Sequence, residues 1–320
     1  MVTAVATVSL SGPLALQGLQ AARGLEVWAS GDDVQLKIVD DRSSPTVAHD
    51  LYRRWLDEPV DIVLGPYGSH LVRKVAPLVS GRGVPLWNHG GAADDLARPL
   101  LVSVPAPAST YFHGAVELAD RMSLREVVIV VGTGRFASAV FSGARKRGTE
   151  LGMAVRQVPL GGWSPGKPLG GRAILIVGSF AEDLATVEKV RTEGEPGLLG
   201  CVAAGLQEFG SRLGRAADLV FGPVQWIPQP SVPEIGPSGT DFALRYEAKF
   251  GDPPDYVAAQ AAAAGFLAGE ANRRGYEYNQ IRRWRTSTLL GSFALDQSWR
   301  QVGHAAITIQ WRDGRRVLAL

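Results

Sequence analysis

The sequence predicts an α/β protein made of two doubly wound lobes, each built on a parallel sheet. Three observations predict it. Short apolar, β-branched runs alternate with longer amphipathic ones, the pattern of strands buried on both faces and joined by helical crossovers. Most apolar runs end on Gly, Pro or an acidic pair. The alternation is interrupted by proline twice, at Pro105-Ala106-Pro107 and at GPVQWIPQP over 222–230, as at joints between lobes.

In chain order, residues 3–10 read as the first strand, closed by Ser11-Gly12-Pro13, and 16–28 as a helix with small residues for close packing. Strand 34–39 ends on Asp40-Asp41. Ser44 is the N-cap and Pro45 the first residue of a helix reaching Leu56. Strand 61–64 stops at Gly65-Pro66. Gly68-Ser69 then opens a helix carrying Leu71, Val72, Val75 and Leu78 on one side, ended by Gly81 and Gly83. Strand 84–87 leads through Gly90-Gly91 into a short helical turn at 92–96, and 101–104 is the fifth strand.

After Pro107 the rhythm restarts. Helices are expected at 109–122, 136–151, 182–191 and 207–213, strands at 127–131, 154–158, 173–177, 198–202 and 219–221, and a loop at 161–171. From Ser238 the chain becomes helical, at 240–250, 256–274 and 280–285. Segments 305–311 and 316–320 flank Asp313-Gly314 and predict a β-hairpin.

Composition narrows the function. The 320 residues are 46% hydrophobic and 20% charged, with a net charge of +2. That argues against a dedicated nucleic-acid binder. Cys201, the single cysteine, allows no intramolecular disulfide and reads as a small buried hydrophobe. No apolar run reaches the roughly 18 residues of a membrane span. The five histidines show no metal spacing, and neither a metal nor a cofactor is expected.

Parallel strands place Ser69 and the Gly90-Gly91-Ala92 backbone together at the carboxyl edge of the first sheet, where open α/β sheets bind ligands. Helix N–H groups there suit a carboxylate. Ser69 reads either as a helix cap or as a ligand contact, and His89 as bonded within the loop or facing the ligand. Phe136 and Phe180 fit core or ligand wall, and Trp226 hinge packing or wall. The stretch Gly132–Ala137 matches GxGxxA, but the following strand ends without the acid that would hold a ribose. An NAD(P)-dependent enzyme is thus the remote alternative, and no Walker A, HExxH or GxSxG motif is present.

The order strand-SGP-helix, Asp40-Asp41, GPxxS at 65–69, VPLW-NHGGA-DDL at 84–96 and a Pro-rich crossover near 106 resembles the type I periplasmic binding proteins. Within them it is most similar to the leucine/isoleucine/valine-binding branch of ABC-importer receptors. The resemblance implies a Venus-flytrap of two lobes joined by a three-crossover hinge. Residues 1–106 and 229–295 would form lobe 1, and 107–228 with 296–320 lobe 2, with a ligand cleft between them. It implies a non-catalytic receptor for an amino acid or related small carboxylate, closing on its ligand and docking on ABC-transporter membrane subunits. An extracytoplasmic location follows, with a leader removed and a lipid anchor on the precursor as an option. A cytosolic or receptor-linked sensor of the same fold is the alternative.

The resemblance places the carboxylate contacts at Ser69 and at Gly90, Gly91 and Ala92. Gln17 stands where the family has an aromatic, and Phe136 and Phe180 match tyrosines of the second lobe. Two departures matter: Ala92 replaces a threonine, and no acid lies near 202–204 to pair an ammonium. A desolvated ammonium without its partner is costly. The expectation is therefore an aromatic or otherwise apolar acid, with Tyr67, Trp87, Tyr111 and Trp226 as further lining.

Overall fold

The computed structural model describes residues 1–31, 33–166 and 169–319. Two residues of the expected loop 161–171 and the last residue of the expected final strand lie outside the described residues. The chain divides into two compact units: Met1–Pro107 with Gln225–His304, and Ala108–Val224 with Ala305–Leu320.

The first unit is built on a five-stranded parallel sheet in the order β2-β1-β3-β4-β5. Its strands are β1 (Val2–Val8), β2 (Val34–Asp40), β3 (Ile62–Leu64), β4 (Leu86–Asn88) and β5 (Leu101–Ser103). All three residues of β3 and of β4 are buried; β3 is apolar throughout, and β4 ends on the buried polar Asn88. Helices α1 (Ala15–Gly31), α2 (Pro45–Trp55) and α3 (Ser69–Gly81) connect them. Ser44 caps α2, its side chain accepting the Val47 N–H at 3.4 Å, with Pro45 at the first helical position. The expected helical turn at 92–96 is instead a 3-10 turn at Asp94–Leu96. Ala93 stays extended because its N–H is donated to the Ser69 hydroxyl.

The second unit carries α4 (His113–Arg121), β6 (Glu126–Val131), α5 (Arg135–Glu150), β7 (Val155–Pro159), β8 (Arg172–Val177), α6 (Phe180–Glu193), β9 (Leu198–Cys201), α7 (Gln207–Leu213) and β10 (Val220–Val224). The helix expected at 109–122 is split, with a 3-10 turn at Ala108–Thr110 before α4. Ser109 is pressed against α5: a Cβ at Gly143 would lie 1.8 Å from the Ser109 carbonyl oxygen. Helix α6 starts before the expected residue 182, because Ser179 and Glu182 form a capping box.

The chain then returns to the first unit with α8 (Gly239–Phe250), α9 (Tyr256–Arg273) and α10 (Tyr278–Arg283). The alanine-rich α9 is buried along most of its length against α1. Small residues permit the approach: a Cβ at Gly24 would sit 2.1 Å from the Ala258 oxygen, and one at Gly265 2.3 Å from the Trp28 ring. A two-stranded hairpin of β11 (Arg285–Thr288) and β12 (Gly291–Ala294) follows, which the sequence reading missed. Its first strand, Arg-Thr-Ser-Thr, is polar throughout, so the burial of Thr286 and Thr288 left no apolar alternation to read.

The third crossing into the second unit falls at His304, not near 295. Asp296 accepts the N–H groups of Ser298 and Arg300, and Gln301 Oε1 accepts that of Ala294, so the segment folds back on β12. Residues 225–228 likewise belong to the first unit. Strands β13 (Ile307–Arg312) and β14 (Arg315–Leu318) complete the second sheet, order β14-β13-β10-β9-β8-β6-β7, antiparallel at β10-β13-β14 and parallel elsewhere. Asp313 and Gly314 both have positive φ, as a two-residue hairpin turn requires.

Candidate functional site

At the carboxyl edge of the first sheet, the loops after β3 and β4 are stitched together. Gly65 N–H donates to Trp87 O at 3.0 Å and Gly68 N–H to Gly90 O at 3.2 Å. Gly90 must be glycine: a Cβ there would lie 2.5 Å from the Tyr67 Cα. Gly91 is packed on Val72 and Leu96. Ser69 and Gly90-Gly91-Ala92 are thus neighbours, as the strand order predicts.

Their hydrogen bonds assign roles that the sequence left open. Ser69 is the first residue of α3 and does not cap it; Gly68, with φ of 100°, is the N-cap and has no side chain to bond with. The Ser69 hydroxyl accepts the Ala93 N–H at 3.1 Å, so its own proton is left to donate. Asn88, which the sequence reading passed over, organises the turn. Its Oδ1 accepts the N–H groups of Gly90 (3.2 Å) and Gly91 (2.7 Å), and its Nδ2 donates to Gly91 O (2.7 Å) and Ser103 Oγ (3.0 Å). Two of the three turn amides, those of Gly90 and Gly91, are therefore engaged inside the protein.

The remaining first-unit candidates are mostly enclosed. His89 is completely buried and neither ring nitrogen has a partner; burial pulls its pKa down to about 4. Trp87 lies within β4 and is buried. Burial pushes the Tyr67 hydroxyl up to about 12, with Tyr256 as its hydrogen-bond partner. Trp226 packs edge-on against Phe242 of α8, ring centroids 5.8 Å apart, and its indole N–H has no partner. Gln17 is buried in the first turn of α1 with Oε1 unbonded. Leu14, three residues earlier, approaches Gly68, which brings that turn to the loop after β3. Arg300, another residue missed, lines a shallow recess with Gly91–Asp94, its guanidinium 3.8 Å from the Asp94 carboxylate.

At the carboxyl edge of the second sheet, Tyr111 and Phe136 meet edge to face, with centroids 5.5 Å apart and planes at 81°. Phe136 is the second residue of α5 and Phe180 the first of α6; both are half-buried. An acid from α6 reaches the backbone of residues 202–204. Asp183 is fully buried, and its carboxylate accepts the N–H groups of Gly178 (2.7 Å) and Ala203 (2.8 Å). Burial pushes its pKa up to about 7, against the pull of those hydrogen bonds. Both oxygens serve the loop backbone, so Asp183 braces the β8 and β9 ends. The GxGxxA stretch runs from the end of β6 into the first turn of α5, with Gly134 as the helix N-cap, and β7 ends at Pro159 without an acid. Among the described residues, no cluster of His, Cys, Asp and Glu is placed to hold a metal.

Two α/β units linked by three passages are the architecture of the two-lobed solute-binding proteins. The family model of the periplasmic binding proteins matches residues 2–279, and the chain belongs to that family. Among solved structures, a leucine binding protein from Thermotoga maritima superposes with a TM-score of 0.85 at 18% identity, covering 100% of this chain and 98% of that one. A solute binding protein of an ABC transporter from R. palustris, in complex with benzoate, gives 0.80 at 16%, covering 99% and 95%. A branched-chain amino acid transporter substrate binding protein from Streptococcus pneumoniae, in complex with isoleucine, gives 0.80 at 17%, covering 99% and 97%. Among curated proteins none matches the sequence. The family is one of solute-binding proteins rather than enzymes, and among the described residues no helix is long and apolar enough to cross a membrane.

Proposed function

We propose that this protein is the solute receptor of an ABC importer, and that its ligand is a small aromatic or otherwise apolar carboxylic acid. The carboxylate would be received at the first unit's edge by the Ser69 hydroxyl and the Ala92 N–H, beside the N-terminus of α3. Tyr111, Phe136 and Phe180 of the second unit would engage the apolar body when the units close. Gln17 and the loop residues Tyr67 and His89 shape the first-unit side, and Trp87 and Trp226 back it.

The observation that carries the ligand class is the state of Asp183. It reaches 202–204 from α6, and its oxygens are taken by backbone N–H groups, so it is not placed to pair an ammonium. An α-amino acid would bring a charge with no partner there. The bound benzoate and isoleucine of two structural relatives show that this fold hosts both classes, so the choice rests on the residues.

A thermal-shift screen tests the reading. Benzoate and hydroxybenzoates are expected to raise the melting temperature, and leucine and isoleucine to leave it unchanged. Stabilisation by leucine with no response to aromatic acids overturns the ligand class. Ser69→Ala should weaken binding about tenfold, the loss of one hydrogen bond to a charged group. The extracytoplasmic location carried by the family extends here to a cleaved leader and a lipid anchor on the precursor. The gene sequence upstream of Met1 checks both, through an apolar leader and a cysteine at its cleavage site.

A further inference from the structure

The end of α9, α10 and the start of β11 carry the chain's excess of positive charge. Residues 270–285 hold five arginines and two glutamates, a surplus of three in a chain whose net charge is +2. The rest of the chain is thus slightly acidic. Glu234 reaches this segment from outside, accepting the Thr286 hydroxyl at 3.2 Å, and still leaves the surplus positive.

The arginines are set on a firmly held surface. Gly275, with φ of 62°, turns the chain out of α9, and the Tyr276 N–H returns to Ala271 O at 2.9 Å. Buried Glu270 takes ion pairs from both Arg273 and Arg274. Arg274 Nη1 also donates to the Tyr276 hydroxyl at 3.0 Å. The Tyr276 ring meets Trp284 edge-on, centroids 5.2 Å apart, and the Trp284 carbonyl accepts from Arg285 Nη1 at 3.1 Å. Arg274 and Arg285 therefore stand on one continuous surface, with Arg282 and Arg283 directly before Trp284. Among the described residues, neither Arg282 nor Arg283 has an ion-pair partner. Cations in a last helical turn answer the helix dipole, which accounts for the places of Arg273, Arg282 and Arg283. It does not account for Arg285 on β11, nor for the charge left unpaired.

We propose that this surface binds an anionic lipid bilayer through the phosphates of headgroups such as phosphatidylglycerol. Guanidinium groups fit phosphate oxygens with paired hydrogen bonds. A protein interface instead centres on a packed apolar patch with charge at its rim. Here the apolar side chains are turned inward, Ile281 at 1% and Trp284 at 8% exposure. What faces solvent is Arg273, Arg274, Arg283 and Arg285, one acid, Glu277, and the Tyr278 ring, 40% exposed. A bilayer asks for no more than cations in excess and amphipathic rings at headgroup depth. The surface uses no residue of either carboxyl edge, so it stands or falls apart from the ligand reading.

Co-sedimentation with vesicles tests it. The full chain is expected to partition onto phosphatidylcholine vesicles containing about one-third phosphatidylglycerol, and not onto phosphatidylcholine alone. Arg282→Gln/Arg283→Gln/Arg285→Gln should lower the partition coefficient at least about tenfold. Arg53→Gln/Arg54→Gln/Arg121→Gln removes the same charge from exposed positions elsewhere and should leave it within about twofold. Equal losses in the two variants overturn the proposal, as does a failure of the unaltered chain to bind the anionic vesicles. Retention on immobilised polyglutamate without partition onto the vesicles overturns it too, and assigns the surface to an acidic protein. On the unaltered chain, salt at about 0.5 M should release the bound protein, and binding that persists overturns the proposal.

Discussion

At the scale of single residues, two buried side chains near the site carry opposite obligations. Asn88 satisfies four backbone and side-chain groups at once, so its loss strands donors and acceptors that water cannot reach. Asn88→Ala should cost about 3 kcal/mol in denaturant titration, more than its size alone implies. His89 satisfies nothing, and its neutral ring makes the fold sensitive to acid. Its pKa in the fold is about 4, below the ordinary value of 6.5, so the unfolded chain takes up the proton first. The stability is present above pH 6.5 and is lost as the pH falls toward 4. The wild type should lose about 3 kcal/mol relative to His89→Leu between pH 7 and 4. Asp183 slopes the other way: with its pKa pushed up to about 7, it favours the fold below about pH 4 and loses that contribution as the pH rises to 7. Comparing the wild type with the single variant isolates the histidine. The sequence could flag Ser69 and the paired glycines, because both the serine and the tight turn sit at a strand end. It did not flag Asn88, whose side chain turns back on the Gly90-Gly91 backbone, or Asp183, which reaches Ala203 from another segment.

At the scale of elements, the strands and helices were legible where pattern and caps agreed. Ser44-Pro45 marked the start of α2, and the Asp313-Gly314 turn marked the last hairpin. Legibility failed where packing decided the outcome: Ser109 under α5 split one helix, and the β11-β12 hairpin has four-residue strands with little alternation. The α1-α9 contact shows what the small residues do. Gly24→Ala should destabilise by about 2 kcal/mol or more, because the new methyl meets backbone that cannot step aside. Gly31→Ala, at the end of the same helix with open space around it, should stabilise by a few tenths of a kcal/mol, about the lower end of a helix-propensity gain. Thermal melts of the two variants make the contrast directly.

At the scale of the whole molecule, the division into two units was readable from the proline joints at 105–107 and 222–230. The third passage carries no proline, and its position at His304 follows from Gln301 and Asp296 holding residues 295–304 to the first unit. A receptor that closes on its solute should show it in solution. Small-angle scattering at saturating benzoate is expected to give a smaller radius of gyration than the solute-free protein. An unchanged radius would count against hinge closure.

The second sheet ends on β14, whose outer side bonds to no strand among the described residues. Val317 and Leu318 are exposed there, a template on which another chain could add a strand. Arg315 stands at the head of that strand, exposed and charged, where cations discourage such pairing. Replacing it with valine would leave Arg316 as the one charge in the strand, and light scattering should then detect stronger concentration-dependent self-association than in the native chain.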